Sequence, residues 1–299
     1  MNTASPVAAP LRYIERTQAW YAALGYTEPY RYARFPDVPF HPLRQPLARS
    51  RVALLTTAAP YRPGLGAQGA GAPYNAAAKF YAVYSLPSDR DHDLRVSHLA
   101  IDRAHLSDDS GTWLPLPALR RAQSDGLIGA VTARIHGVPT NRSQRHTLAV
   151  DAPEALARCR DDGADAAVLV ANCPVCHQTM SLVARHLEAQ GIATVVMGAA
   201  KDIVEGCGVP RLLFNDLPLG HAAGLPYDTA SQDLSLRLAL MLLAAAPAAR
   251  CTVQSPLRWP DDDWRDQYMN PARLTPGQLQ REREAHGRHR EVARALRGG

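Results

Sequence analysis

The chain has 299 residues, 46% of them hydrophobic, enough to bury a real core in one large or two ordinary domains. Its net charge of +5 rests almost wholly on arginine, with no basic stripe carrying aromatics, and its longest apolar block, 238–246, is too short for a bilayer; neither nucleic acid nor membrane is an expected partner. Five cysteines are an odd number, and the first 25 residues lack the basic start and apolar core of a signal peptide, so a reducing cytoplasm is expected rather than a disulfide framework.

In chain order, residues 11–24 carry Leu11, Ile14, Trp20, Tyr21 and Leu24 at mixed helical spacing and stop at Gly25, which predicts a short docking helix. Prolines at 29, 36, 39, 42 and 46 then predict an extended arm laid over a surface. The run 51–55 is the first strand and leads into Thr56 and Thr57. The glycine-rich stretch around Gly64, Gly66, Gly69 and Gly71 lacks the dinucleotide fingerprint and reads as a loop over the site. A strand is expected over 79–85. Within 97–109, His98, Asp102 and His105 would share a face if the segment were helical, as an acid–base unit or a metal pair requires.

From residue 116 the pattern becomes regular. A helix is expected over 117–123, a strand over 127–135, and a helix capped by Asp151 with Glu154 three residues on, ending near Gly163. Strands follow at 167–171, 192–197 and 211–215, with a helix from Ser181 to Gln190 between the first two. A loop holding Gly220, His221 and Gly224 comes next, then a helix over 231–246 stopped by Pro247. Residues 251–270 read as irregular, anchored by Trp259 and Trp264, and Thr275-Pro276 opens a polar, arginine-rich last helix. Strands alternating with helices predict an α/β fold, a parallel sheet covered on both faces in the manner of Rossmann-like or flavodoxin-like proteins. The expected division is an N-terminal helix and proline-rich arm (1–50), an α/β catalytic unit (51–250, as one body or as lobes 51–145 and 146–250) and a C-terminal extension (251–299). The last helix and the block 238–246 hint at a homo-oligomer.

The centre of the chain is Cys173-Pro174-Val175-Cys176-His177, where a strand turns into a helix. Free amides and the dipole at a helix N-terminus favour thiolate over thiol, and ligands of open α/β sheets bind beyond the carboxyl ends of strands. A reactive Cys pair is therefore the expected chemical centre, with His221 able to line the same cleft. Three rivals attach to the same residues. Cys-x-x-Cys-His also attaches c-type haem, but only in exported proteins; zinc held by Cys173, Cys176 and a nearby His would make a metal or thiol sensor; and a plain pair of buried cysteines needs no function.

A resemblance attaches to several pieces together: Arg-Tyr-Ile-Glu-Arg-Thr (12–17), Pro-Phe-x-Pro-Leu (39–43), Arg-Val-Ala-Leu-Leu-Thr-Thr-Ala (51–58), Ser-His-x-x-x-Asp (97–102), Gly-Leu-Ile-Gly (126–129), Cys-Pro-Val-Cys-His-Gln (173–178), Pro-Leu-Gly-His (218–221) and Thr-Val-Gln-Ser-Pro-x-x-Trp (252–259). Together they resemble the glycine/sarcosine/betaine reductase selenoprotein B family, which includes D-proline reductase subunits, over most of residues 10–265. The resemblance places Cys173 where those proteins carry selenocysteine, and so implies that Cys173 is the nucleophile and Cys176 the resolving thiol. In that family the chalcogen attacks carbon and displaces an amine, other proteins reduce the adduct, and a pyruvoyl group sits in a companion subunit. No cleavage site for such a group is evident here, so no cofactor is expected within the chain.

The expectation is a thiol-dependent reductase or reductive lyase of a small polar molecule, which the mildly positive field would help gather if anionic. Cys173 attacks, Cys176 resolves, and an external thiol reductant of thioredoxin or glutathione type resets the pair. His177 or His221 moves a proton, while His98, Asp102, Thr56, Thr57 and His221 face the substrate. A non-redox cysteine-pair isomerase keeps the fold but needs cysteines at two strand ends, and Cys207 follows a helix-like stretch.

Overall fold

The computed structural model describes residues 9–57, 79–92, 94, 96, 101, 102, 104–106, 108–267 and 269–297. In chain order the strands are β1 (Arg51–Thr56), β2 (Tyr84–Pro87), β3 (Ala130–Val131), β4 (Arg134–Gly137), β5 (Ala166–Val170), β6 (Ala193–Gly198), β7 (Arg211–Phe214) and β8 (Cys251–Gln254). The helices are α1 (Tyr13–Ala23), α2 (Leu116–Ser124), α3 (Gln144–His146), α4 (Ala152–Asp161), α5 (Pro174–Ala189), α6 (Lys201–Cys207), α7 (Thr229–Ala245), α8 (Asp263–Gln267) and α9 (Pro276–Arg297). Among the described residues they form an α/β fold around one sheet of order β2-β4-β1-β5-β6-β7-β8, with β3 also paired to β1. Only the β2–β4 pairing is antiparallel.

Alternation along the central strands feeds two cores. Val52 and Leu54 of β1 and Ala166, Val168 and Val170 of β5 face one, with Leu119 of α2 and Leu240 of α7; Ala53, Leu55, Ala167 and Leu169 face the other, with Leu156 of α4 and Val183 and Leu187 of α5. Strands buried on both faces read as continuous aliphatic runs, which is why 51–56 and 166–170 were conspicuous in the sequence.

Several expected boundaries move. The strand over 79–85 becomes Tyr84–Pro87, where β4 supplies the partner. The strand over 127–135 becomes β3 and β4, which pair with the two ends of β1 and are separated by a jog where Thr132 Oγ1 donates to the Arg134 carbonyl at 2.8 Å. Asp151 is not an N-cap: Ser143 caps the helix, accepting from His146 N, and α3 passes through a π-helical turn (Thr147–Asp151) into α4. The irregular stretch after 250 contains β8, parallel to β7, and the short α8. Asp102 and His105 lie outside any helix, so they do not share a helical face. His98 and the glycine-rich stretch lie outside the described residues.

The proline-rich arm is clasped by side chains of α5. Gln178 Oε1 accepts from Ala33 N at 2.7 Å and its amide donates to the Tyr30 hydroxyl; Arg185 donates to the Asp37 and Gly208 carbonyls at 2.7 and 2.8 Å; Glu188 accepts from His41 N. Glu188 is paired with Arg211 of β7 at 2.8 Å, and Arg211 also donates to the His41 carbonyl. Under this arm α5 is buried along its whole length except at His186 and Ala189.

Candidate functional site

After β5 the chain runs through Ala171 and Asn172 to Cys173, whose extended backbone (φ −109°, ψ 168°) makes it the N-cap of α5. Pro174 takes the first helical position, where its missing N–H costs nothing. The Cys173 sulfur accepts from Cys176 N at 3.2 Å, doing for the helix end what a serine oxygen usually does. One helical turn brings the two Cα atoms to 4.9 Å, and the two sulfurs are bonded as a disulfide. Both residues are buried, at 2% and 1% exposure.

The two sulfurs have different neighbours. Cys176 Sγ lies 3.1 Å from Thr140 Oγ1 and 3.6 Å from the Thr57 carbonyl. In the disulfide the sulfur carries no proton, so Thr140 is the donor; on reduction the thiol finds a ready acceptor in Thr57 O. Thr57 is also tied to the end of β5, its N and Oγ1 both donating to the Val170 carbonyl at 3.2 and 3.3 Å. Thr56 Oγ1 donates to the Trp113 carbonyl at 2.7 Å and accepts from the amide of Asn172, next to Cys173.

His177 does not face the sulfurs with a free nitrogen. Its Nδ1 donates to the Cys173 carbonyl at 2.7 Å, while Nε2 accepts from Ala199 N and Ala200 N at 2.9 and 3.1 Å. Burial pushes its pKa down to about 4, against a smaller opposing effect of the Cys173 carbonyl, so the ring is neutral and fixed in one tautomer. It binds the turn carrying Cys173 to the end of β6. Gly198 permits this, since a Cβ there would stand 2.8 Å from the imidazole.

Asp102 and His221, 119 residues apart, meet at 2.9 Å. Asp102 N also donates to the Leu219 carbonyl, and Ala104 N donates to Asp102 Oδ1 at 2.8 Å. Burial raises the Asp102 pKa, but hydrogen bonds from His221 and Ala104 outweigh it and hold the carboxyl below its ordinary value. Burial lowers the His221 pKa, only partly offset by Asp102. The imidazole is thus neutral, with Nε2–H toward the carboxylate. Trp259 lies against it at 4.8 Å between ring centroids, and His105 at 6.2 Å.

All these groups gather at one edge of the sheet, the carboxyl ends of β1, β5, β6 and β7, where ligands of such sheets bind. The other cysteines do not join them. Cys159 and Cys207 are buried in helices, their thiols pushed up to about 12 by burial, and Cys251 opens β8 at the opposite edge. The two-strand arrangement of a cysteine-pair isomerase is thus not present among the described residues. Nor do the described residues include a group of three or more His, Cys, Asp or Glu placed to hold a metal ion, or a helix long and apolar enough to cross a membrane.

Two curated proteins align with this chain. One, 27% identical over 176 residues (58% of this chain and 73% of the relative), is the D-proline reductase subunit gamma of Acetoanaerobium sticklandii. The chain is similar to reductase subunits. The other, 22% identical over 213 residues, is the glycine reductase complex component B subunit gamma of Carboxydothermus hydrogenoformans; the match covers 69% of this chain but 47% of that relative. No family model matches, and no solved structure matches. Distant as they are, both reductase relatives agree with the resemblance read from the motifs and support a reductase-type, oxidoreductase role.

Thr140, Asn172, Asn215 and Trp259 were not singled out as site residues from the sequence. Position carried the only signal for the two asparagines: Asn215 directly follows the buried strand β7, and Asn172 lies two residues past the end of β5.

Proposed function

We propose that this chain is a thiol-dependent reductase or reductive lyase, a component of a multi-protein reductase, with Cys173 as nucleophile and Cys176 as resolving thiol. The observation that carries the reading is the asymmetry of the two sulfurs. Cys173 Sγ caps α5 and accepts a backbone amide hydrogen at the helix N-terminus, whereas Cys176 Sγ lies between the Thr140 hydroxyl and the Thr57 carbonyl, to which its thiol can donate.

In the reaction, the Cys173 thiolate displaces a leaving group X from substrate R–X, forming a Cys173 S–R bond and releasing X with its electron pair. Cys176 attacks the Cys173 sulfur, the S–R bond breaks, and R leaves with its electron pair. The two thiol protons end on R and X, so R–X and the dithiol become R–H, H–X and the disulfide. Two external thiols restore the pair. Amine, sulfide and halide all fit X. His177 acts in this reading as a positioning residue, not as the proton carrier.

The test is intact mass and thiol counting of reduced and oxidised protein, wild type, Cys173→Ser and Cys176→Ser, with metal measured on the same samples. The expected result is a loss of two protons on oxidation, absent in both variants, from metal-free protein. Stoichiometric zinc that is lost in either variant, with no disulfide formed, would replace the reductase with a metal-binding protein.

A further inference from the structure

Buried polar atoms at the carboxyl end of the sheet that lack a hydrogen-bond partner among the described residues include the hydroxyls of Tyr84 and Ser255 and, around Cys173 and the Asp102–His221 pair, a group of three, Asn172 Oδ1, Asn215 Oδ1 and His221 Nδ1. The parent side chains of these three are 1%, 0% and 0% exposed, and orphan groups so deeply buried call for an explanation. Their neighbours fix what each atom offers. The Asn215 amide nitrogen donates to the Ala222 carbonyl and to Ser235 Oγ, both at 2.7 Å, which leaves its oxygen as the open acceptor. Asn172 donates to the Val170 carbonyl and to Thr56 Oγ1, a hydroxyl whose own proton goes to Trp113 O. His221 spends its N–H on Asp102, leaving a lone pair on Nδ1.

These three atoms therefore accept and none donates, while the Tyr84 and Ser255 hydroxyls can do either. Asn172 precedes Cys173. Asn215 leaves β7, two strands over in the same parallel order and about 10 Å away at ordinary strand spacing. Its bond to Ala222 O ties it to the residue after His221, and Ala223 N is bonded to the Thr112 carbonyl beside Trp113.

We propose that Asn172, Asn215 and His221 form an acceptor-only binding set for the substrate of the Cys173 reaction, and that the group it holds is an N–H or O–H donor rather than an anion. This rests on the assignment of Cys173 as nucleophile. The Asp102 carboxylate beside His221 works in the same direction, repelling an anion. The net charge of +5 works the other way, so recognition by this set and attraction by the overall field predict opposite preferences.

Two reagents that alkylate thiolates separate them: iodoacetamide, whose amide carries two N–H donors, and iodoacetate, an anion of nearly the same shape. In both reactions the thiolate forms an S–CH2 bond and iodide leaves. The ratio of the two rates at Cys173, read by peptide mass on the reduced full-length protein, cancels the thiolate fraction and is compared with the ratio for glutathione. The expected ratio favours iodoacetamide by about tenfold or more over glutathione's, and His221→Phe, which keeps a ring against Trp259 but removes the Nδ1 acceptor, returns most of it, as does Asn172→Ala. A wild-type ratio equal to glutathione's, a comparison that needs no variant, or a ratio untouched by both substitutions, overturns the acceptor set and leaves the nucleophile standing. A Cys173 that reacts with neither reagent overturns both.

Discussion

His177 shows how a residue adjacent to the chemistry can belong to the scaffold. Its Nε2 is the partner of two backbone amides, Ala199 N and Ala200 N, in a fully buried position. His177→Leu would orphan both, at about 1–3 kcal/mol each, and thermal unfolding should fall by roughly 5–10 °C. If the ring carried no proton for catalysis, the pH dependence of Cys173–Cys176 oxidation would be unchanged in a folded His177→Gln protein; a shifted profile would restore the histidine to the chemistry. The Cys pair at a strand end and the helix after it were legible because an aliphatic run, two thiols around Pro174 and an apolar stretch lie within a few residues, but the helix, expected from Ser181, begins seven residues earlier at Pro174. Thr140 was not, because its contact with Cys176 depends on a chain crossing 36 residues away.

At the scale of elements, α5 is held between the sheet and the arm. The Glu188–Arg211 pair is buried on both sides, at 0% and 1% side-chain exposure, and each partner also holds His41. Glu188→Gln would leave the guanidinium without its counter-charge, a loss of about 3–5 kcal/mol, and should speed protease cleavage within residues 27–48. Cleavage unchanged by the substitution would mean that the arm is held elsewhere. The prolines announced an extended arm, and the absence of helical or alternating pattern announced a surface track, but nothing local says which surface. The helix start was misplaced for a similar reason. Asp151-Ala152-Pro153-Glu154 has the composition of a cap, yet the helical turns before it, opened by Ser143, carry the backbone straight through. The last parallel strand, β8, is a four-residue edge strand paired with β7, so little in Cys-Thr-Val-Gln distinguishes it from a loop.

For the molecule as a whole, buried neutral histidines make acid the vulnerable side. Burial lowers His136 and His177 to about 4 from an ordinary 6.5. Between those values the unfolded chain takes up protons that the folded one refuses, so stability is complete above 6.5 and is lost as pH falls toward 4. At pH 5 the two rings together remove about 4 kcal/mol, opposed in part by Glu188 and Asp202, whose carboxyls burial holds above their ordinary values. Urea unfolding should accordingly show a clear loss of stability between pH 7 and pH 5. A flat profile would mean that both rings titrate as if exposed.

The arm also sets an order of events as the chain is made. Ala33, Asp37 and His41 dock on Gln178, Arg185 and Arg211, partners 145 to 170 residues further along. A ribosome needs on the order of ten seconds to half a minute to add that many residues, and through that interval the arm has no seat. The arm is thus made well before its seat and settles after it. A nascent chain halted before β7 would already carry Gln178 and Arg185 but not Arg211, so the His41 end of the arm would lack its partner on β7, and buried Glu188 its counter-charge, leaving that end of α5 open to whatever chaperone reaches it first.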